Sequence, residues 1–270
     1  MKINGTTRVF GLIGDPVDHS LFPVMQNAAF EALGLDCVYT AFPVKDVEAA
    51  MKGVRGLGLG GINVTVPHKQ AVMPYIDVFD ETAQRIGAVN TVVSKEEKLV
   101  GYNTDAPAFM NALVKAAGDV KGKRITVLGA GGAARAVVYE LARTGAHVSI
   151  LNRSIDRAEA LALEFGGQAA GSLDDVPDVI GQTEVLINAT SMGLPHGATE
   201  SPVPRELLRK DLVVYDLVYS AKSTPLTDSA REAGCTVIAG TEMLLENAIL
   251  VFKLFTGRDA PVEVMREALK

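Results

Sequence analysis

Short runs rich in β-branched residues alternate with stretches of helical periodicity along almost the whole chain. RVFGLIG, CVYTAFP, RITVLGA, HVSILNR, EVLINAT, DLVVYDLV and TVIAG are each separated by segments long enough to hold a helix. A helix that carries the chain from one strand to the next also covers a sheet face, so this rhythm predicts parallel sheets with crossover helices. At 270 residues, 48% of them apolar, the chain has core material for two domains. The polar, glycine-containing segment AAGDVKGKR at 116–124 marks the start of the second, there or slightly earlier.

Two local patterns refine this plan. NTVVSKEEKLVGYN, from Asn90 to Asn103, reads as two strands around a charged tip, a hairpin on the edge of the first sheet. A helix over 106–117 then follows Asp105, with Pro107 in its tolerant first turn. Near the end, MLLENAILVFKLFTG has apolar residues at helical spacing and stops at Gly257. This helix is expected to return to the first domain, which gives boundaries of 1–105 plus 242–270 and 106–241.

A net charge of −6, a pI near 5.3 and the lack of a Lys/Arg run argue against a nucleic-acid partner. The opening segment lacks the apolar core of a signal peptide, and no stretch reaches the ~18 apolar residues of a membrane span. The expectation is a cytosolic protein, monomer or homodimer, that acts on a small molecule. Cys37 and Cys235 border apolar runs and read as buried thiols. The four histidines are scattered without ligand spacing, so no metal site is expected.

ITVLGAGGAARAVVYELARTG combines a strand, a glycine turn and a helix, with Gly129, Gly131 and Ala134 at the three positions of a dinucleotide-binding turn. Glycine permits the tight turn and a close approach of pyrophosphate to backbone, and the phosphate charge faces the helix N-terminus. The turn from Gly129 through Ala130, Gly131, Gly132 and Ala133 is the candidate phosphate site. A second glycine pattern, GLGLGG from Gly56, leads into the strand INVTV instead of a helix and reads as a loop.

The strand HVSILNR ends about twenty residues later, where an NAD site places a carboxylate on the ribose hydroxyl. Here stand Asn152, Arg153 and Ser154, with Arg157 one turn on. A guanidinium suits a 2′-phosphate that a carboxylate would repel, so NADP is expected over NAD.

In INVTVPHK, Asn63, Thr65 and Lys69 fall at a strand end and the beginning of a helix. On spacing alone they read as turn, sheet-surface and solvated helix residues, and Asp105 reads as an N-cap. Those motifs recur in a wider set, however: GDPVDHS (14–20), NVTVPHK (63–69), GAVNT (87–91), GYNTD (101–105), GAGGAAR (129–135), NRS (152–154), NATSMG (188–193), DLVY (216–219), TPL (224–226) and ML at Met243. In that order, over the whole chain, they resemble the shikimate dehydrogenase family.

The resemblance implies an α/β fold of two domains. One is a Rossmann-type doubly wound NADP domain, the other an N-terminal α/β substrate domain completed by the C-terminal helices. It implies a catalytic pair, Lys69 and Asp105, at the cleft between them, with the lysine exchanging the proton of the reacting hydroxyl. Asn63, Thr65 and Asn90 would hold ring hydroxyls, and Ser20 and Tyr219 the carboxylate. Leu217 and Gly240 would approach the nicotinamide through backbone, and Thr190 and Met192 would line the cofactor groove.

Two substrate positions depart from the family pattern. Phe22 stands where a second serine is usual, and Asn247 where a glutamine is usual. Both leave the lysine and aspartate intact, so the expected activity is reversible reduction of 3-dehydroshikimate to shikimate. Quinate or a related hydroxy-carboxylate is the alternative substrate, and a non-catalytic NADP-binding module is the alternative of another class.

Overall fold

The computed structural model describes residues 2–193, 200–218 and 223–269. They form two compact units, Met1–Thr104 with Asn247–Lys270, and Asp105–Glu246. The first unit contains β1 (Arg8–Gly14), α1 (Phe22–Ala32), β2 (Cys37–Pro43), α2 (Val47–Gly56), β3 (Gly61–Val64), β4 (Val78–Phe79), α3 (Glu81–Ile86), β5 (Thr91–Lys95) and β6 (Lys98–Tyr102). The second contains α4 (Asp105–Ala117), β7 (Arg124–Leu128), α5 (Gly132–Thr144), β8 (His147–Leu151), α6 (Ile155–Phe165) and β9 (Ala169–Gly171). It continues through α7 (Val176–Ile180), β10 (Val185–Asn188), β11 (Val213–Asp216), α8 (Pro225–Glu232) and β12 (Thr236–Ile238). Helix α9 (Gly240–Thr256) begins in the second unit and ends in the first, which α10 (Val262–Glu267) completes.

In the first unit the strand order is β2-β1-β3-β5-β6-β4, and the sheet is mixed. Strands β1, β2 and β3 are parallel to one another, whereas β5 runs antiparallel to both β3 and β6. The hairpin turns at Glu96 and Glu97, both at positive φ (47° and 63°), the backbone that matches the twist of paired strands. It is not the edge expected from the sequence, because β4 lies outside β6, parallel to it. A two-residue strand is too short to show alternation, which also hid the three-residue β9.

One face of this sheet packs Ile13, Ile62, Val64 and Val92 against Met51 and Val54 of α2. An aromatic cluster forms as Phe10 stacks on Phe255 of α9, 4.7 Å between ring centres, and meets Phe30 of α1 at 5.8 Å. The glycine run before β3 serves this packing. A Cβ at Gly61 would come 2.6 Å from the Phe255 ring, and one at Gly60 would come 2.6 Å from Phe10.

The second unit has the order β12-β11-β10-β7-β8-β9, with all pairs parallel. Chain order reverses between β7 and β10, and in such sheets ligands bind outside the carboxyl ends of the strands at that point. Side chains alternate between two cores. Ile125, Val127, Val148 and Ile150 pack with α4, α5 and α6, while Leu128, Leu151, Leu186 and Val214 pack with α7 and α8. Cys37 is buried, but Cys235 is only half-buried, correcting the expectation of two buried thiols.

Candidate active site

At the carboxyl end of β7 the chain turns through Gly129, whose φ of +107° is closed to other residues. A Cβ there would also lie 2.8 Å from the carbonyl oxygen of Ala189, at the end of β10. Gly131 is the N-cap of α5 at φ −90°, and no side chain caps that helix. Within 4 Å of a Cβ at Gly131 or Gly132 there is nothing. Ala134, by contrast, is fully buried beneath them. Among the described residues no side chain caps the first-turn amides of α5, an arrangement that fits a pyrophosphate.

Beside this turn, Asn152 follows β8 with its N–H bonded to Gly171 O at 3.0 Å. Its side-chain amide donates to Ser154 O at 2.9 Å, shaping the bend that leads into α6. Arg153, Ser154 and Arg157 are exposed on this bend, and among the described residues neither arginine forms an ion pair. Arg135 of the same glycine motif is different, since both its terminal nitrogens bond Glu164, at 2.7 and 2.6 Å. Arg153 and Arg157 thus differ from Arg135 in having no carboxylate partner among the described residues.

The loops after β10 and β11 are held by three buried polar residues. Asn188 donates to Asp216 at 2.9 Å and accepts from both the N–H and the hydroxyl of Thr190, at 3.1 and 2.7 Å. Thr190 in turn accepts the N–H of Met192 at 3.1 Å. Asp216 accepts from Val218 N and from the hydroxyl of Thr224. Burial pushes its carboxyl above the usual carboxylate range, while these donors pull the other way. A Cβ at Gly240 would meet Val218 O at 2.6 Å and Leu217 O at 2.9 Å, so the start of α9 passes directly over those carbonyls. Tyr219 lies outside the described residues.

In the first unit, Asn63, Asn90 and Asn247 come together in one buried knot. Asn63 accepts from the Tyr39 hydroxyl at 2.7 Å and donates to Asn90 O and Thr91 Oγ1 at 3.3 and 3.0 Å. Both amide hydrogens are used, so Asn63 can only accept from a further hydroxyl. The side-chain oxygen of Asn90 takes the N–H of Thr104 at 2.8 Å and its hydroxyl at 3.1 Å. Asn247 accepts the Thr104 hydroxyl at 2.9 Å.

Thr65 and Lys69 follow β3 in a series of turns; the helix expected there does not form. Val66–Pro67 is a cis peptide, Val66 O accepts Asp15 N–H at 3.0 Å, and His68 Nε2 meets Val44 O at 2.6 Å. Facing a carbonyl, that nitrogen carries the proton. The carbonyl of Lys69 takes the N–H of Val89 at 2.8 Å, fixing its backbone next to Asn90. Asp105 is the first residue of α4 rather than its N-cap, because the chain is already helical there.

Ser20 lies just before α1, and its hydroxyl accepts the N–H of Phe22 at 3.3 Å. Phe22 departs from expectation. Its ring is 8% exposed and packs 6.3 Å from the ring of Tyr39. As the first residue of α1, with Met25 and Gln26, it belongs to the buried face of that helix, so position 22 supplies packing.

Three family descriptions match successive parts of the chain: the shikimate dehydrogenase substrate binding domain over 12–92, shikimate / quinate 5-dehydrogenase over 112–217, and the shikimate 5′-dehydrogenase C-terminal domain over 240–270. The chain belongs to the shikimate dehydrogenase family. The NADP(+) shikimate dehydrogenase of Pyrococcus abyssi is 45% identical over 96% of both chains. A shikimate dehydrogenase solved in complex with NADP+ superposes with TM-score 0.93 at 41% identity, covering 99% of this chain and 96% of that one. The Aquifex aeolicus shikimate dehydrogenase gives 0.94 at 40% identity over the full length of both.

The shikimate dehydrogenase framework also depends on residues to which the sequence alone assigned no individual role. Asn188, Asp216 and Thr224 shape the cofactor-side loops, and Tyr39, Thr91 and Thr104 tie the asparagines of the first unit. All six bury a polar group, the kind of group that persists in a core only when hydrogen-bonded. All but Tyr39 fall within the motifs quoted above, where nothing local separates their packing role from that of ordinary strand-end residues.

Proposed function

We propose that the chain catalyses the reversible NADP-dependent reduction of 3-dehydroshikimate to shikimate. The observation that carries this reading is the 45% identity to an NADP(+) shikimate dehydrogenase over 96% of the chain, with the glycine turn, Lys69 and Asp105 all in place. Bound cofactor supplies the hydride, which adds to the ring carbonyl carbon as a proton adds to its oxygen. Lys69 gives up that proton in the reducing direction and takes it back in the oxidising one. Asp105 holds the lysine amine and a substrate hydroxyl.

The unit Met1–Thr104 with Asn247–Lys270 holds the substrate in this reading. Ser20 and Tyr219 take the carboxylate, and Asn63, Thr65, Asn90 and Asn247 the hydroxyls. Asn63 contributes an acceptor, the polarity its other partners leave to it. The unit Asp105–Glu246 binds NADP through the amides of Gly131, Gly132 and Ala133, with Arg153 and Arg157 on the ribose phosphate. Thr190, Met192, Leu217 and Gly240 border the nicotinamide end. Such an enzyme works where soluble NADP is, in the cytoplasm. Among the described residues no helix is long and apolar enough to cross a membrane.

Asn247 is one methylene shorter than the usual glutamine, and quinate or a related hydroxy-carboxylate is the alternative substrate. Purified protein assayed with NADP and NAD against shikimate and quinate decides. The expected result is highest kcat/KM with NADP and shikimate, and absence of shikimate oxidation would overturn the reading.

A further inference from the structure

Asn63, Asn90 and Thr104 meet at one hydroxyl that the proposed site does not include, that of Thr91. Thr91 opens β5 and is 0% exposed, so it cannot itself touch a ligand. Its Oγ1 lies 3.0 Å from Asn63 Nδ2, 3.2 Å from Asn90 Oδ1 and 3.1 Å from Thr104 Oγ1.

The orientations of the Asn63 and Asn90 amides follow from the backbone groups in the knot. A carbonyl only accepts, so the Asn63 atom facing Asn90 O must be the NH2, and the oxygen therefore faces Tyr39, which donates. A backbone N–H only donates, so the Asn90 atom facing Thr104 N must be the oxygen. The second hydrogen of Asn63 then goes to Thr91. Thr91 gives its own to Thr104 or Asn90, and the Thr104 hydroxyl reaches the side-chain oxygens of Asn247 and Asn90, at 2.9 and 3.1 Å. A chain of bonds runs from Tyr39 through Asn63 to Thr91 and branches there to Asn90 and to Thr104, which reaches Asn247; Asp105 is next to Thr104 in sequence.

We propose that Thr91 is a positioning residue of the substrate site: its buried hydroxyl sets the orientation of the Asn63 and Asn90 amides and, through Thr104, that of Asn247. A ring with several hydroxyls then meets a fixed pattern of donors and acceptors. The inference rests on the proposed function, because it takes those asparagines as substrate-facing. Without the hydroxyl, a buried Asn63 N–H loses its acceptor and the amide must turn to find another, away from the ligand geometry.

Steady-state kinetics of Thr91→Val, Thr91→Ser and Tyr39→Phe beside wild type test this with shikimate and NADP. Valine keeps the volume and removes the hydroxyl; it should raise the shikimate KM about tenfold, change kcat less than about threefold and leave the NADP KM unchanged. Serine restores the hydroxyl and should restore the KM. A valine variant within about twofold of wild type, a serine variant as impaired as valine, or a parallel rise in the NADP KM would overturn the proposal. Should the valine variant not fold, Tyr39→Phe decides, since it removes only the O–H at the head of the chain. A shikimate KM raised about threefold or more supports the proposal and an unchanged one overturns it. Wild type inactive on shikimate would overturn the proposed function and this inference together, whereas active wild type with indifferent variants overturns the inference alone.

Discussion

The hydroxyl of Thr104 donates to the side-chain oxygen of Asn247, 2.9 Å away in space and 143 positions away in sequence. Thr104 is itself held by Asn90 through its N–H. Helix α9 thereby delivers residue 247 to the polar knot at the ends of β3 and β6. Asn247→Leu removes the acceptor at similar volume and leaves a buried hydroxyl to find another partner. The shikimate KM should rise about tenfold with the NADP KM unchanged, as measured by initial rates.

Lys69 is set by its backbone, through the bond from Val89 N–H, so its amine can be removed without moving the chain. Lys69→Ala should lower turnover by about 10² to 10⁴ while NADP affinity, measured by fluorescence titration, stays as in wild type. Retention of a tenth of wild-type turnover would exclude a proton-transfer role.

Arg153 is exposed and outside any ion pair among the described residues, so its loss should leave the melting temperature almost unchanged. Arg153→Ala should weaken NADP by about 1.5 to 3 kcal/mol and leave NAD unaffected. Equal weakening of both cofactors in binding titrations would place Arg153 outside the 2′-phosphate site.

Two glycines of the phosphate turn should respond to the same change in opposite ways. Gly129→Ala meets a left-handed φ and the Ala189 carbonyl, and should lower stability by about 1 to 3 kcal/mol in chemical denaturation. Gly131→Ala meets neither and should keep stability within about 0.5 kcal/mol. Its methyl occupies the space proposed for phosphate, and the NADP KM should rise at least about tenfold.

Phe22→Ser replaces a buried ring packed on Tyr39 with a small polar group. It should cost about 3 to 5 kcal/mol of stability, seen as a large fall in melting temperature. A shikimate KM lowered tenfold with unchanged melting temperature would show instead that position 22 faces the substrate.

Much of this protein is written locally. Each βα unit of the NADP-binding half announces itself through a run such as RITVL and an amphipathic helix after it, because the periods of strand and helix are properties of neighbouring residues. The glycine turn is equally local: Gly129 and Gly131 act through their own φ and their own lack of a side chain, and both can be read from the string. What tertiary structure alone decided lies in pairs remote in sequence. The two-residue β4 exists because β6 offers it a partner, and the glycines before β3 are there for Phe10 and Phe255. Phe22 occupies a serine position of the family pattern, yet whether it met substrate or core depended on Tyr39, seventeen residues on in another element. Thr91 and Thr104 look like ordinary strand-end threonines until folding sets them between Asn63, Asn90 and Asn247. Hydrogen bonds act over about 3 Å, and only the folded chain determines which donors and acceptors come that close.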